Sequence, residues 1–466
     1  MGGARPRAAR APGAAIGALA ALAALAGCER EAAVPGPPAR PGRPGIVLVI
    51  GDDVGYRDYG FMGSPIARTP NLDRLAAEGV VFTHAFDTAS VCRPSLLSLL
   101  TGLPPRVALR ELARAQRSGG EPRRFADVFE TLPEILVRHG YRAFAGGKFW
   151  EGSPQGAGFT DALLEWPAWR GRELDSLLLA AGGHGLALGR ETLEPLERFL
   201  DEAGREPFFV WYAPMLPHLP FDAPQRFVDL FRDAPLPEPA RAYYANLARF
   251  DATVGDVLAM LERRGLRERT VVVYLADNGF DPLHAPDAAG APGLGGPGGK
   301  LSIQELGFRT PLVVSWPGVI PGGRRDARLV SSLDLFPTLL ELAGAPAPAR
   351  GFGRSLVPAL EGREGPWREH LLGQGEGLRA DGAGGAPEEA WFLRTPEWRF
   401  VSGGRDRPER LYRIEEDPGE SRDLAGERPE VVRELRLELL REIAALEAAS
   451  RPGRSAARPP RPEPTH

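Results

Sequence analysis

The chain is poor in cysteine, has no long apolar run, and carries no excess of basic charge. Its two cysteines are Cys28 and Cys92. With Cys28 committed to another role, argued below, Cys92 has no partner for a structural disulfide. The Ala/Leu-rich stretch from Ala14 to Ala26 falls short of the roughly 20 apolar residues that a permanent span needs. Lysine and arginine number 57 against 61 acidic residues, for a formal net charge of −4, so no basic patch for nucleic acid emerges. What the chain does have is core material. Its 466 residues, 43% hydrophobic, can bury a full interior, which makes it a globular protein of two or three units, or one large α/β unit with an appendage.

The two ends read differently from the middle. Arg5, Arg7 and Arg10 precede the apolar stretch, and Leu25-Ala26-Gly27-Cys28 closes it. Basic region, apolar region and small-residue cleavage site follow in the order of a bacterial export signal. Leu-Ala-Gly-Cys resembles a lipobox, which implies a lipid on Cys28 and attachment to the bacterial envelope, at the periplasm or cell surface. Cleavage before Cys28 removes the three arginines and takes the formal charge from −4 to −7. The Pro/Gly/Ala-rich residues 28–43 read as a tether, and residues 450–466 as a disordered tail.

Between the ends, short apolar runs repeatedly finish on polar groups. Ile46-Val47-Leu48-Val49-Ile50 is the pattern of a strand buried on both faces of a parallel sheet, and Gly51-Asp52-Asp53 follows it. Val271-Val272-Val273-Tyr274-Leu275 leads to Asp277-Asn278, Phe208-Phe209-Val210-Trp211-Tyr212 leads to His218, and the weaker Tyr141–Ala145 run leads to Lys148. Helical patterns at 191–204 and 248–265 intervene, so an α/β sheet is expected. Ligands of such sheets bind beyond the carboxyl ends of the strands, where distant turns converge.

Singly, each group has a plain reading. Asp52-Asp53 can cap a helix, Asn278-Gly279 can make a hairpin turn, Lys148 can be a solvated lysine, and His218 can be a loop residue. Together they form a chemical set. Asp52, Asp53, Asp277 and Asn278 offer hard oxygen ligands, which suit Ca²⁺ or Mg²⁺ far better than zinc. Lys148, His218 and Lys300 add positive or proton-donating groups. A cation ringed in this way can hold a tetrahedral oxyanion ester and stabilise the charge that builds as its bond breaks.

From Ile46 to Leu424 the chain resembles the sulfatase family, of the alkaline-phosphatase superfamily. GDDVGYRDYG (51–60) is similar to the first metal motif, CRPSLLSLLTG (92–102) to the Cys-x-Pro-Ser-Arg signature, and GGKFWEG (146–152) to the Gly-Lys-x-His block. PHLPF (217–221), LADNG (275–279) and KLSIQELGFRTPLVVSWPG (300–318) resemble later motifs in the family's order. The resemblance implies a mixed, mainly parallel sheet sandwiched by helices, plus a small C-terminal α+β subdomain. It implies one Ca²⁺ held by Asp52, Asp53, Asp277, Asn278 and the modified Cys92. It further implies that a formylglycine-generating enzyme oxidises Cys92 to formylglycine, whose hydrated aldehyde is the nucleophile. Lys148 and Lys300 would bind the sulfate oxygens, and His218 would contact the sulfate or protonate the leaving oxygen. The substrate class is then a sulfated small molecule or glycan.

Two family positions depart from the pattern. Leu96 stands where the signature has arginine, and Trp150 where the lysine block has histidine. Leucine makes none of arginine's hydrogen bonds, and an indole offers one N–H without proton-transfer capacity. Arg93 and Arg106 are the candidates to supply a guanidinium from elsewhere. Three functions stay open at this point: a sulfuric ester hydrolase, a catalytically impaired relative that binds anionic glycans, and a phosphodiester or phosphonate ester hydrolase. The expected organisation is a signal at 1–27, a linker at 28–43, a catalytic domain at 44–344, a C-terminal subdomain at 345–449 and a tail at 450–466. The Gly/Pro-rich loop from Asp281 to Gly299 reads as a lid over the crevice, or as a relaxed insertion.

Overall fold

The computed structural model describes residues 42–117, 125–163, 186–282, 298–348, 351–375, 390–402 and 408–449. The export signal, Cys28, nearly all of the tether, the middle of the 281–299 loop and the tail lie outside the described residues. Among the described residues, no helix is long and apolar enough to cross a membrane.

Eight strands make the main sheet: β1 (Gly45–Gly51), β2 (Val80–Phe86), β3 (Arg142–Gly147), β4 (Asp161–Ala162), β5 (Phe208–Ala213), β6 (Thr270–Ala276), β7 (Arg309–Ser315) and β8 (Arg324–Ser331). Their order is β4-β3-β5-β1-β6-β7-β2-β8. β7 runs antiparallel to both its neighbours, while every other pairing in this sheet is parallel. The expected mixed, mainly parallel sheet is therefore present.

The unbroken apolar runs are explained by the two layers that cover the sheet. Ile46, Leu48 and Ile50 face one core, with α2 (Cys92–Thr101), α4 (Leu132–Arg138) and α7 (Leu335–Leu342) packed over it. Val47 and Val49 face the other, beneath α1 (Pro70–Ala77), α5 (Glu194–Ala203) and α6 (Glu238–Arg263). A strand alternates its side chains between faces, so burial on both sides demands apolar residues throughout. α3 (Pro105–Arg117) follows α2.

A second sheet, β9 (Leu371–Gly375), β10 (Ala390–Arg394), β11 (Trp398–Val401) and β12 (Arg410–Arg413), is antiparallel throughout. Phe392, Val401 and Tyr412 share a small core with Phe86, Phe308 and Leu329 of the main body. Trp391, Leu393, Phe400 and Leu411 pack instead with Val432, Leu435 and Leu439 of α8 (Pro429–Ala449). The apolar stripe at spacings of three and four along α8 thus covers the outer face of this sheet.

Candidate functional site

The topology brings the polar groups to one edge. Five of the six adjacent strands from β3 to β2 point their carboxyl ends there. β1 ends at Asp52 and Asp53, β6 at Asp277 and Asn278, and β3 at Lys148. Loops after β5 and β2 lead to His218 and Cys92. The reversed strand β7 begins at that edge, so the segment before it delivers Lys300 to the same place.

All eight expected residues meet. Lys148 Nζ donates to both carboxylate oxygens of Asp52, at 2.8 and 2.7 Å, and lies 3.7 Å from Asp277 Oδ2. Lys300 Nζ donates to Asp53 Oδ2 at 2.8 Å, and Asn278 Nδ2 to Asp53 Oδ1 at 2.7 Å. The backbone N–H of Asp53 donates to Asp277 Oδ1 at 3.2 Å. His218 Nε2 stands 3.5 Å from Asp53 Oδ2, while its Nδ1 lies 2.9 Å from the carbonyl of Leu219. A carbonyl only accepts, so Nδ1 carries a hydrogen and Nε2 faces the site. Ligand atoms of Asp52, Asp53, Cys92 and Asp277 all lie within 4.8 Å of one another.

Local backbone geometry serves this convergence. Gly147 has φ of 97°, and a Cβ there would stand 1.8 Å from the carbonyl oxygen of Ala213. Only glycine lets the chain turn so tightly before Lys148. Cys92 opens α2 and Pro94 occupies its first turn, where a missing N–H leaves no intrahelical bond unmade.

The electrostatics separate the carboxylates. Burial raises the affinity of Asp52 for a proton, but Lys148, His218 and Lys300 outweigh it and hold this carboxyl well below its usual range. Asp277 moves upward, through burial and the neighbouring Asp52, against the pull of Lys148. Burial also pushes the Cys92 thiol up; Asp277, Asp53 and Asp52 add to that shift and Lys148 opposes it. An unmodified Cys92 is therefore a protonated thiol, not a ready nucleophile.

Two acceptors stand out. Asp277 Oδ2 and Asn278 Oδ1 are buried and, among the described residues, accept no hydrogen bond. Buried acceptors without donors, set among carboxylates, fit a hard cation with oxygen ligands. These are residues that the family resemblance implied as metal ligands.

The departures are also placed. Leu96 is buried in the core beneath the sheet, and the ring of Trp150 lies 5.8 Å from Lys148 Nζ. Arg93 is bound by both oxygens of Glu151, at 2.9 and 3.2 Å. Arg106 donates to Glu447 of α8 at 2.9 Å and lies over Trp391. Both guanidinium candidates are bound to glutamates. A groove of about 1510 Å³, lined by Arg106, His370, Trp391 and Glu442 among others, contains none of the eight site residues.

Sequence reading missed the groups that brace the site. Arg190 donates to the carbonyls of Met215 and His218, both at 2.8 Å, and pairs with Asp222, which Arg249 also holds. Behind Lys300, the buried Glu305 accepts from Arg394 of β10 at 3.0 and 3.1 Å and from Arg309 at 3.2 Å. Arg399 of β11 lies 3.5 Å from Glu305 and 2.7 Å from Glu420. An isolated arginine on a strand carries no sequence signal for such a role. The one available cue was Arg394 and Arg399 within otherwise apolar strands.

Comparison with known proteins gives the same answer. The sulfatase family model matches residues 44–345, and a model of the N-sulphoglucosamine sulphohydrolase C-terminal region matches 299–448. N-acetylgalactosamine-6-sulfatase of Canis lupus familiaris is 32% identical over 398 residues, covering 78% of this chain and 74% of its own. Arylsulfatase A of Homo sapiens is 32% identical over 474 residues, with coverage of 87% and 88%. In fold, the chain is similar to a protein solved with its substrate D-glucosamine-2-N,6-O-disulfate, at a TM-score of 0.69 and 19% identity, covering 88% of this chain and all of that one. The order of the motifs, the sheet that gathers them and these likenesses agree, and the chain belongs to the sulfatase family of sulfuric ester hydrolases.

Proposed function

We propose that this protein is an exported, lipid-tethered hydrolase that removes sulfate from a sulfated sugar, using one Ca²⁺ and a formylglycine made from Cys92. The observation that carries the reading is the buried ring of Asp52, Asp53, Asp277 and Asn278 beside Cys92, with two acceptors lacking donors. The sugar is supported by likeness to an N-acetylgalactosamine-6-sulfatase and to a fold neighbour solved with a sulfated glucosamine. Export and the lipid on Cys28 rest on residues 1–28. A formylglycine-generating enzyme is the implied maturation partner.

Bound among the four oxygen ligands and residue 92, Ca²⁺ would neutralise the sulfate's charge and orient its sulfur toward residue 92. The chain's own groups supply the rest. Lys148 and Lys300, both held protonated by neighbouring carboxylates against the effect of burial, donate to the sulfate oxygens. His218 is fixed by Nδ1–H on the Leu219 carbonyl and by Arg190 on its own carbonyl. Its Nε2, 3.5 Å from Asp53 Oδ2, is the atom that faces the site and would give a proton to the departing alcohol oxygen. The buried site excludes bulk water, which strengthens each of these interactions.

A second reading is favoured by Leu96. With an apolar side chain at that position and both candidate arginines bound to glutamates, an unconverted Cys92 would leave a protein that binds sulfated glycans without cleaving them.

Mass spectrometry of the peptide carrying Cys92, from the native host, decides between the two. Conversion to the aldehyde supports the hydrolase, and a thiol in every molecule overturns it. Hydrolysis of an aryl sulfate against an aryl phosphate diester, with and without chelator, tests the ester class. Retention of a Cys28→Ala variant in the membrane fraction would contradict the tether.

A further inference from the structure

Trp150 follows Lys148 by two residues, and its ring lies 5.8 Å from the lysine's Nζ. The indole nitrogen is buried, and among the described residues it donates to nothing. Buried donors in native folds are nearly always partnered, so an orphan in a binding site points to a ligand acceptor. Two further features keep this group in the site. Glu151, the next residue, is held by Arg93, the residue after Cys92, so the 148–151 segment is braced across the start of α2. Trp150 also packs on the core that contains Leu96, one helical turn beyond Cys92, and it retains exposure that Lys148, at 2%, lacks.

The orphans of the site are complementary. Among the described residues Asp277 Oδ2 and Asn278 Oδ1 accept no hydrogen bond and suit a cation, while Trp150 Nε1–H donates none and suits an acceptor. We propose that the Trp150 indole N–H donates a hydrogen bond to an oxygen of the bound sulfate, making Trp150 a substrate-binding residue beside Lys148 and Lys300. The assignment rests on the sulfate-ester reading above. An indole neither gains nor loses a proton in the working pH range. Trp150 therefore contributes binding and orientation, with no proton transfer and no charge to compete with the cation.

Isothermal titration of the Ca²⁺-loaded full chain with inorganic sulfate tests this. Trp150→Phe keeps an aromatic ring and removes the N–H, and should weaken sulfate binding about tenfold or more, the scale of a lost hydrogen bond to a charged group. Trp150→His restores a ring N–H and should stay within about threefold of wild type. Ca²⁺ affinity should be equal in all three, which separates a sulfate contact from general damage. In ¹⁵N-labelled wild type, sulfate should shift one indole N–H resonance, the one missing from Trp150→Phe. Equal sulfate affinity in Trp150→Phe, or no indole shift at saturation, overturns the assignment alone. Absence of sulfate binding by the wild type overturns it together with the proposed function.

Discussion

Lys148 and Asp52 form a buried bidentate pair, the ammonium 2.8 and 2.7 Å from the two carboxylate oxygens, across 96 residues of chain. The pair joins the ends of β3 and β1, which are separated in the sheet by β5. Around it, like charges that would otherwise repel are held together. Asp53 is bound by Lys300 and Asn278, and Asp277 lies 3.7 Å from the same Lys148.

Removing one member of that pair strands the other. Lys148→Met leaves Asp52 buried without its ammonium, and should destabilise the protein by about 3–5 kcal/mol in urea denaturation. Adding Asp52→Asn should recover a large part of that loss. If the double variant is as unstable as the sum of the singles, the pair is not coupled as described.

Ca²⁺ should raise the melting temperature of the wild type and chelator should reverse the rise. At a concentration about 100 times its Kd, the ion stabilises by about 2.7 kcal/mol. Asp277→Asn and Asp53→Asn should each reduce the shift sharply, because each removes a carboxylate from the ring. A full Ca²⁺ shift in both variants would place the ion elsewhere.

Asp251 supplies a pH test outside the site. It accepts from the backbone N–H groups of Asn71 and Leu72 at the start of α1 and from the Asn71 side chain. Burial nevertheless raises its pKa to about 6. Its neutral form is the one the fold prefers, so its contribution to stability is complete below about pH 4 and is lost as pH rises through 6. Relative to Asp251→Asn, the wild type should lose about 1.5 kcal/mol between pH 5 and 7.5. A gap that stays constant, measured by urea denaturation at the two pH values, would contradict this environment.

Glu305→Gln should act at a distance from the edge it supports. The carboxylate is buried among Arg309, Arg394 and Arg399, which burial alone would disfavour. Its loss should destabilise by about 3–5 kcal/mol. It should also weaken sulfate binding, because Glu305 anchors the segment that carries Lys300 against the second sheet. Unchanged sulfate affinity in a folded Glu305→Gln variant would show that this bracing does not reach the site.

How much was legible beforehand varies with the distance over which the cause acts. The strand at Ile46–Ile50 was readable because burial on two faces admits only apolar side chains, a signal contained in five residues. The spacing of Val432, Leu435 and Leu439 by three and four residues is likewise a local mark of a helix with one apolar stripe. The helix expected at 248–265 begins earlier, at Glu238, because tyrosines and alanines in its first half are buried under the sheet rather than spaced as an amphipathic stripe. Asp52, Asp53, Lys148, His218, Asp277 and Asn278 were legible as polar groups after strands, while Cys92 entered the site only through the resemblance to known motifs. The bracing arginines were not legible, since an ion pair between residues 89 apart, as in Glu305 and Arg394, leaves no periodic trace.

By itself the sequence determined which segments become strands, which polar groups stand at their ends, and that oxygen-rich ligands and two lysines are available. Those are local consequences of burial and side-chain chemistry. Tertiary structure alone decided that Lys148 reaches Asp52, that Arg93 and Arg106 are bound to Glu151 and Glu447, and that, among the described residues, the Trp150 N–H and two acceptors make no hydrogen bond. Each of those depends on which groups the order and direction of strands bring within about 3 Å, and at that range a hydrogen bond is either made or missing.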